Sequence, residues 1–282
     1  MTSAGLHRLD IGEETVEFSD RGNGEAVLLI HAGVFAAWFP AVSQDPALRA
    51  FRRVGPTRAG YDSTAPAPTR HLTLADHASH WAAVLESLGV EQAHVLAHSS
   101  GSLIGLQLAL DRPGLVRSLV LVEPAAAPCL LSPAAAADFG QFVRSVAATV
   151  AAGDLATAFD TFMRRVCAED YRTVLVEALG PGGLEQAERD CGFFFRDEGP
   201  AVREWSFGAS DASRIAQPVL LVQGGASPPL VHGVVAGLAE MLPSAEITTA
   251  PGADHLLPLR DPATLATIAA GFMERHPTRA KA

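Results

Sequence analysis

Residues 93–110 read Ala93-His94-Val95-Leu96-Ala97-His98-Ser99-Ser100-Gly101-Ser102-Leu103-Ile104-Gly105-Leu106-Gln107-Leu108-Ala109-Leu110. Ala93–Ala97 has the apolar character and length of a buried strand. Gly101–Leu110 is apolar nearly all round, which suits a helix enclosed on every side. Only His98-Ser99-Ser100 lie between them. A turn that short lifts one side chain above the end of the strand, and small residues at Ala97 and Gly101 let strand and helix come close. A plain strand–turn–helix with a serine N-cap would also read this way.

The segments on either side repeat the alternation. Upstream, Thr15–Phe18 reads as a short strand ending in the turn cluster Ser19–Gly24. Ala26–Ile30 is a continuous apolar run, the mark of a strand covered on both faces. Phe51–Val54 is a weaker strand before Gly55-Pro56. Leu74–Leu88 has helical periodicity, with Trp81, Val84, Leu85 and Leu88 on one face and Gly89 as its stop. Downstream, Leu119–Val122 is a strand, and from Ala125 to about Arg214 only helical signals occur, best at Pro133–Ala151, Leu155–Val166 and Leu184–Phe195. Strands return at Pro218–Gln223 and Glu246–Ala250, each followed by a helix, at Val231–Leu242 and Pro262–Glu274. Strands alternating with helices imply an α/β fold with a mostly parallel central sheet and helices on both faces. The expected organisation is a core of residues 1–124 and 215–282 interrupted by a helical cap at 125–214.

Composition narrows the chemistry. The chain has 282 residues, 48% of them hydrophobic, with 21 basic and 31 acidic side chains and a net charge of −10. That length and apolar content suit one large domain with a sizeable core. The charge argues against nucleic acid or an anionic membrane surface as partner. Lys281 is the only lysine, so a catalytic lysine, a Schiff base and a Walker-type phosphate loop are excluded. Cys129, Cys167 and Cys191 are far apart, with neither CxxC nor zinc spacing. They suit a reducing compartment. The opening MTSAGLHRLD lacks the apolar run of a signal peptide, and the apolar runs are too short to span a bilayer. The expectation is a cytoplasmic protein acting on a small molecule, with no metal and no cofactor. His77 and His80, three apart beside Asp76, are read as surface histidines of a helix's first turn and not as metal ligands.

Ala97-His98-Ser99-Ser100-Gly101 resembles the nucleophile elbow of the α/β-hydrolase fold superfamily, G-x-S-x-G, with Ala97 in place of the first glycine. His31-Ala32-Gly33-Val34 resembles that family's His-Gly loop, and Pro56–Ser63 its D-x-R-G-x-G-x-S turn, in which Arg58 takes a structural role, as does His31. Pro251-Gly252-Ala253-Asp254-His255 resembles its G-x-x-H loop. The resemblance covers nearly the whole chain and points to the cap-bearing serine hydrolases. It implies Ser99 as nucleophile, His255 as general base and an oxyanion hole from the backbone N–H groups of Ser100 and Gly33, or alternatively Val34.

The family commonly places its acid after the strand read here as Pro218–Gln223, yet Gly224–Leu230 holds no carboxylate. Glu123, at the end of Leu119–Val122, is the alternative acid, since some family members, certain haloalkane dehalogenases among them, use that strand end. A Ser–His dyad is the other option. Asp254 is set aside because its side chain diverges from that of neighbouring His255. A serine at 99 argues against epoxide hydrolase and dehalogenase chemistry, which use aspartate there. The expected reaction is hydrolysis of an ester, thioester, lactone or amide of an apolar small molecule through an acyl-enzyme. A C–C bond hydrolase on the same triad, and a non-hydrolytic ligand-binding or cyclase-type homologue, stay open. Val34, Trp38 and His98 are the expected pocket residues, and Phe39 is a positional candidate. Phe193, Phe194, Phe195, Trp205 and Phe207 fit either a pocket wall or the cap's own core.

Overall fold

The computed structural model describes residues 6–61, 67–180 and 182–278. Asp62 and Ser63 of the turn read above, the first five residues and Lys281 lie outside the described residues. Eight strands form one sheet: β1 (Leu6–Ile11), β2 (Glu14–Arg21), β3 (Ala26–Ile30), β4 (Arg52–Thr57), β5 (Ala93–His98), β6 (Val116–Val122), β7 (Val219–Gly224) and β8 (Glu246–Ala250). Their order is β1-β2-β4-β3-β5-β6-β7-β8. The pairs β1–β2 and β2–β4 are antiparallel, and every other pair is parallel.

Alternation along the parallel strands builds two apolar layers. Val95, Ala97, Leu119 and Leu121 face one side, whereas Leu96, Val120 and Val122 face the other. Helices α2 (Leu74–Ser87), α3 (Ser100–Asp111) and α10 (Pro229–Met241) cover the first side through residues such as Trp81, Leu106 and Leu238. Helices α1 (Pro40–Gln44) and α12 (Pro262–Glu274) cover the second through Val42 and Phe272. Both faces are dry, which is why these strands are continuous apolar runs.

Between β6 and β7 the chain is helical: α4 (Pro133–Ala151), α5 (Leu155–Val166), α6 (Tyr171–Leu179), α7 (Gly183–Phe193), a π-helical turn at Phe194–Glu198, α8 (Gly199–Glu204) and α9 (Ala209–Ala212). No strand occurs in that span among the described residues. A third apolar cluster joins Phe159, Phe162 and Phe195 of this segment to Val34, Phe35 and Trp38 of the loop after β3. The helical segment is thereby seated on the loops at the C-terminal edge of the sheet. A short helix α11 (Leu257–Arg260) follows the loop after β8. Among the described residues, no helix is long and apolar enough to cross a membrane.

Two local readings change, and one strand is added. Strand β1 had no sequence reading of its own. It is an edge strand whose residues are exposed or half-buried, so no buried face marks its pattern. Gly55-Pro56 does not end β4 but lies inside it, with Pro56 opposite Phe18. His77 and His80 are not surface residues: they are 1% and 3% exposed on α2. That helix begins with a capping box between Thr73 and Asp76, and packs on β1 as well as α3, so its histidine-bearing face is covered. Burial holds His77 well below the ordinary histidine value and lowers His80 as well.

Candidate active site

Parallel strands carry their C-terminal ends to one edge of the sheet, where Ser99, Glu123 and the loops holding Gly33, Gly224 and His255 meet. Ser99 follows β5 at φ 53°, in the left-handed region that non-glycine residues avoid. Its N–H still reaches Val122 O at 3.0 Å, so the chain stays tied to β6 while it reverses into α3. Gly101 permits the reversal: a Cβ there would lie 2.4 Å from Ile30 O and 2.6 Å from His31 O. The Ser102 hydroxyl donates to Ala97 O at 3.0 Å and closes the turn.

Ser99 Oγ lies 3.2 Å from His255 Nε2, and His255 Nδ1 lies 3.0 Å from Glu123 Oε2. Glu123 leaves β6 at φ 45° and its carboxylate is fully buried. Its second oxygen accepts from the Gly224 N–H at 2.6 Å and the Ser227 hydroxyl at 2.5 Å. The last residue of β7 and the loop after it therefore supply two donors that hold the acid of the neighbouring strand. Asp254 is turned elsewhere, accepting from the N–H groups of Ala168 and Leu256 and pairing with Arg260.

The loop after β3 is tightly set. Val34 has φ 72°, and Phe35 N–H donates to Gly33 O across it at 2.9 Å. The Trp38 indole N–H donates to the same carbonyl at 3.0 Å. Two donors thus fix the Gly33–Val34 peptide, and neither the Gly33 nor the Val34 N–H has a backbone acceptor among the described residues. Ser100 opens α3, so its N–H has no partner within the helix and points to the dipole's positive end. Among the described residues, Val34, Ser99 and Glu123 are the non-glycine positions with positive φ. All three belong to this site.

Behind the elbow lies a buried ion pair. Arg58 and Glu198 are both fully enclosed, with Nη1 2.8 Å from Oε1. His31 Nε2 accepts the Arg58 backbone N–H at 3.0 Å. Its Nδ1 therefore carries the proton, donated to Ala32 O at 2.7 Å. Burial, reinforced by the Arg58 charge, holds His31 well below the ordinary value and keeps it neutral.

Ser99 and His255 border a cavity of about 100 Å³, with Val34, Trp38, Phe162, Phe194 and Phe195 among its walls. His98 is not on the wall, contrary to the sequence reading. It is fully buried, with its ring 4.7 Å from both the Trp38 and His255 rings. The residue before Ser99 points into the protein because the turn sends consecutive side chains opposite ways. Burial and the adjacent His255 hold its ring well below the ordinary value. Phe39 belongs to the layer under the sheet. Trp205 and Phe207 stack on each other in the first apolar layer, and Phe193 packs on Tyr61. Sequence reasoning did not find Ser227, Tyr61 or Glu198, whose contacts span 104, 137 and 140 residues.

The chain belongs to the alpha/beta hydrolase fold family, whose sequence model matches residues 25–262. Curated relatives match over shorter stretches. The dihydrolipoyllysine-residue acetyltransferase component of the acetoin cleaving system of Cupriavidus necator is 34% identical over 118 residues, 41% of this chain and 31% of that protein. A Variovorax paradoxus protein named "Putative carbamate hydrolase RutD" is 36% identical over 108 residues, 36% of this chain and 38% of its own length. The chain thus spans about a third of the length of these two relatives. Among solved structures, a thermophilic esterase from Thermogutta terrifontis superposes with a TM-score of 0.77 at 20% identity, covering 97% of this chain and 100% of that one.

Proposed function

We propose that this protein is a serine hydrolase cleaving an ester, thioester or lactone bond of an apolar small molecule through an acyl-enzyme. The observation that carries the reading is the hydrogen-bonded line from Ser99 through His255 to Glu123 at the wall of an apolar cavity. Glu123 Oε2 accepts from Nδ1–H of His255, which leaves Nε2 free to take the Ser99 proton. As Ser99 Oγ attacks the substrate carbonyl, His255 becomes imidazolium beside the Glu123 carboxylate, and negative charge gathers on the carbonyl oxygen. The N–H groups of Ser100 and Gly33 are the donors assigned to that oxygen, with Val34 the alternative. His255 then returns its proton to the leaving group, and a water activated by the same ring releases the acyl group from Ser99.

The segment at 125–214 acts as a cap: Phe162, Phe194 and Phe195 bring apolar surface over Ser99 and exclude water from it. An apolar acyl or alkyl group fits such walls. The esterase with the same fold and the relative named as a carbamate hydrolase are in line with hydrolysis at a carbonyl carbon.

The test is labelling with a fluorophosphonate, read by intact mass, beside turnover of a short p-nitrophenyl ester. One adduct and ester turnover are expected, both lost in Ser99→Ala. A protein that takes no adduct, or one that survives Ser99→Ala, would falsify the assignment.

A further inference from the structure

Glu198 reaches the core from the π-helical turn Phe194–Glu198, a local departure from α-helical winding that recurs at functional sites. Its Oε1 accepts from Arg58 Nη1 at 2.8 Å and from the Ser100 hydroxyl at 2.7 Å, while Oε2 accepts from the Tyr61 hydroxyl. Arg58 Nη1 also lies 3.2 Å from Ser100 Oγ. The side chain of Ser100 is thus held from two directions, one residue beyond Ser99 and on the residue whose N–H is assigned to the oxyanion. The other oxyanion loop is touched by the same turn. A Cβ on Gly33 would lie 2.3 Å from the Phe194 ring and 3.1 Å from Glu198 Oε1. Gly60, at φ 95°, is packed as closely, with a Cβ there 2.3 Å from the Phe193 ring. Two glycines therefore make room for one short piece of the helical segment.

We propose that Glu198 is a positioning residue for the oxyanion hole, contributed by the cap and held by Arg58, so that the hole reaches its working geometry only when this turn is docked. The inference rests on the hydrolase reading above. Glu198 touches no reacting atom. It acts through the Ser100 side chain on the elbow, and through the contact of its own turn with Gly33. Arg58 completes the device: a carboxylate alone beside a developing oxyanion would oppose it, whereas the guanidinium cancels that charge. Tyr61 satisfies the remaining oxygen. The interactions are made before substrate arrives, but their effect is felt where negative charge develops, so their loss should appear in kcat and not in KM.

The experiment measures kcat and KM on a p-nitrophenyl ester for the parent, Glu198→Ala, Glu198→Gln, Ser100→Ala and the Ser100→Ala/Glu198→Gln pair, with melting curves and fluorophosphonate labelling alongside. Removing an oxyanion donor outright costs about 10²–10³ in kcat, so loosening one is expected to cost about 10- to 100-fold in Glu198→Ala, with KM within twofold. Glu198→Gln keeps an acceptor for Ser100 and a donor for Tyr61 and should recover most of that loss. Ser100→Ala removes the same link without touching the ion pair. It should lower kcat by about tenfold, and adding Glu198→Gln should cost little more. A folded Glu198→Ala with parental kcat overturns the proposal, as does a rise in KM alone. If Glu198→Ala does not fold, Ser100→Ala at parental kcat overturns it. A parent that neither labels at Ser99 nor hydrolyses the ester removes the hydrolase reading and this inference together, whereas a labelled, active parent with an indifferent Ser100→Ala removes only this inference.

Discussion

Glu123 and Glu198 are the same residue type, each with a fully buried side chain and each close to Ser99 in the fold, yet their surroundings differ in kind. Glu123 comes from the sheet and meets an imidazole, a hydroxyl and a backbone N–H. Glu198 comes from the helical segment and meets a guanidinium and two hydroxyls. The first partner set contains a ring that can gain a proton during a reaction. The second contains a guanidinium, bound to the carboxylate by a charge-assisted hydrogen bond. On the proposed reading, the contrast separates a carboxylate that responds to the chemistry from one that holds the residues around it in place. Each cluster also encloses a histidine kept neutral by burial, His98 against the His255 ring and His31 against Arg58.

The largest effect expected from breaking this contrast is in Glu123→Gln. An amide can hold the wrong tautomer of His255, so ester turnover should fall about 10⁴-fold while the melting temperature stays near the parent's. Stopped or steady-state assays of the purified variant decide it, and near-parental turnover would move the acid elsewhere or leave a dyad. Arg58→Met should fall most heavily on stability. It strands the Glu198 charge in the interior, and breaking a buried pair from one side costs about 3–5 kcal/mol of stability, measurable in urea denaturation. If Arg58→Met were as stable as the parent, the structural half of the comparison would fail.

Acid sharpens the contrast further. His31, His77 and His98 have folded values well below the ordinary 6.5 because burial disfavours their charged forms. Below about pH 6.5 the unfolded chain therefore binds protons that the folded chain refuses, and stability falls as pH falls, by about 1.4 kcal/mol per pH unit for each histidine. Asp76 and Asp160, both lowered to about 2, add their own loss only below about pH 4. Urea titrations at pH 7.5, 6.5, 5.5 and 4.5 should show a decline beginning near 6.5; a flat profile down to pH 4.5 would contradict these assignments. The smallest effect belongs to Ser227→Ala, which removes one of two donors from Glu123 Oε1 and leaves Gly224 N–H in place. A loss of about tenfold in kcat, or about 1.4 kcal/mol in the barrier, is expected with unchanged stability. A loss as large as that of Glu123→Gln would mean that Ser227 does more than hold the acid.

The sequence showed the fold where both faces of a strand are buried, because β3, β5, β6 and β7 then stand out as apolar runs. It showed Ser99 and Glu123 because each sits just past such a run, where the topology brings strand ends together, whereas His255 follows the polar, mostly exposed strand β8 and was legible only through the resemblance of its loop. The exposed edge strand β1 carries no such pattern, and the one-sided reading of His77 and His80 failed because α2 is covered on more than one face. His98 was read as a pocket residue from adjacency alone, yet neighbours in a sharp turn face opposite ways. Glu198 and Tyr61 had no signal: a carboxylate in Phe193–Glu198 looks like any solvated charge until the helical segment is folded onto the core. Long-range polar contacts have no periodicity to betray them.

Val34, Ser99 and Glu123 share a positive φ, which side-chain-bearing residues adopt at a cost of about 1–3 kcal/mol each. None of the three is a glycine, although glycine would remove most of that burden. Mutational drift, left to itself, favours relief of such strain. A descendant of this chain that had abandoned catalysis would thus be recognisable without any assay. These three positions would be the first to relax, and their joint persistence in a homologue is a marker of selection still acting on the reaction and not only on the fold.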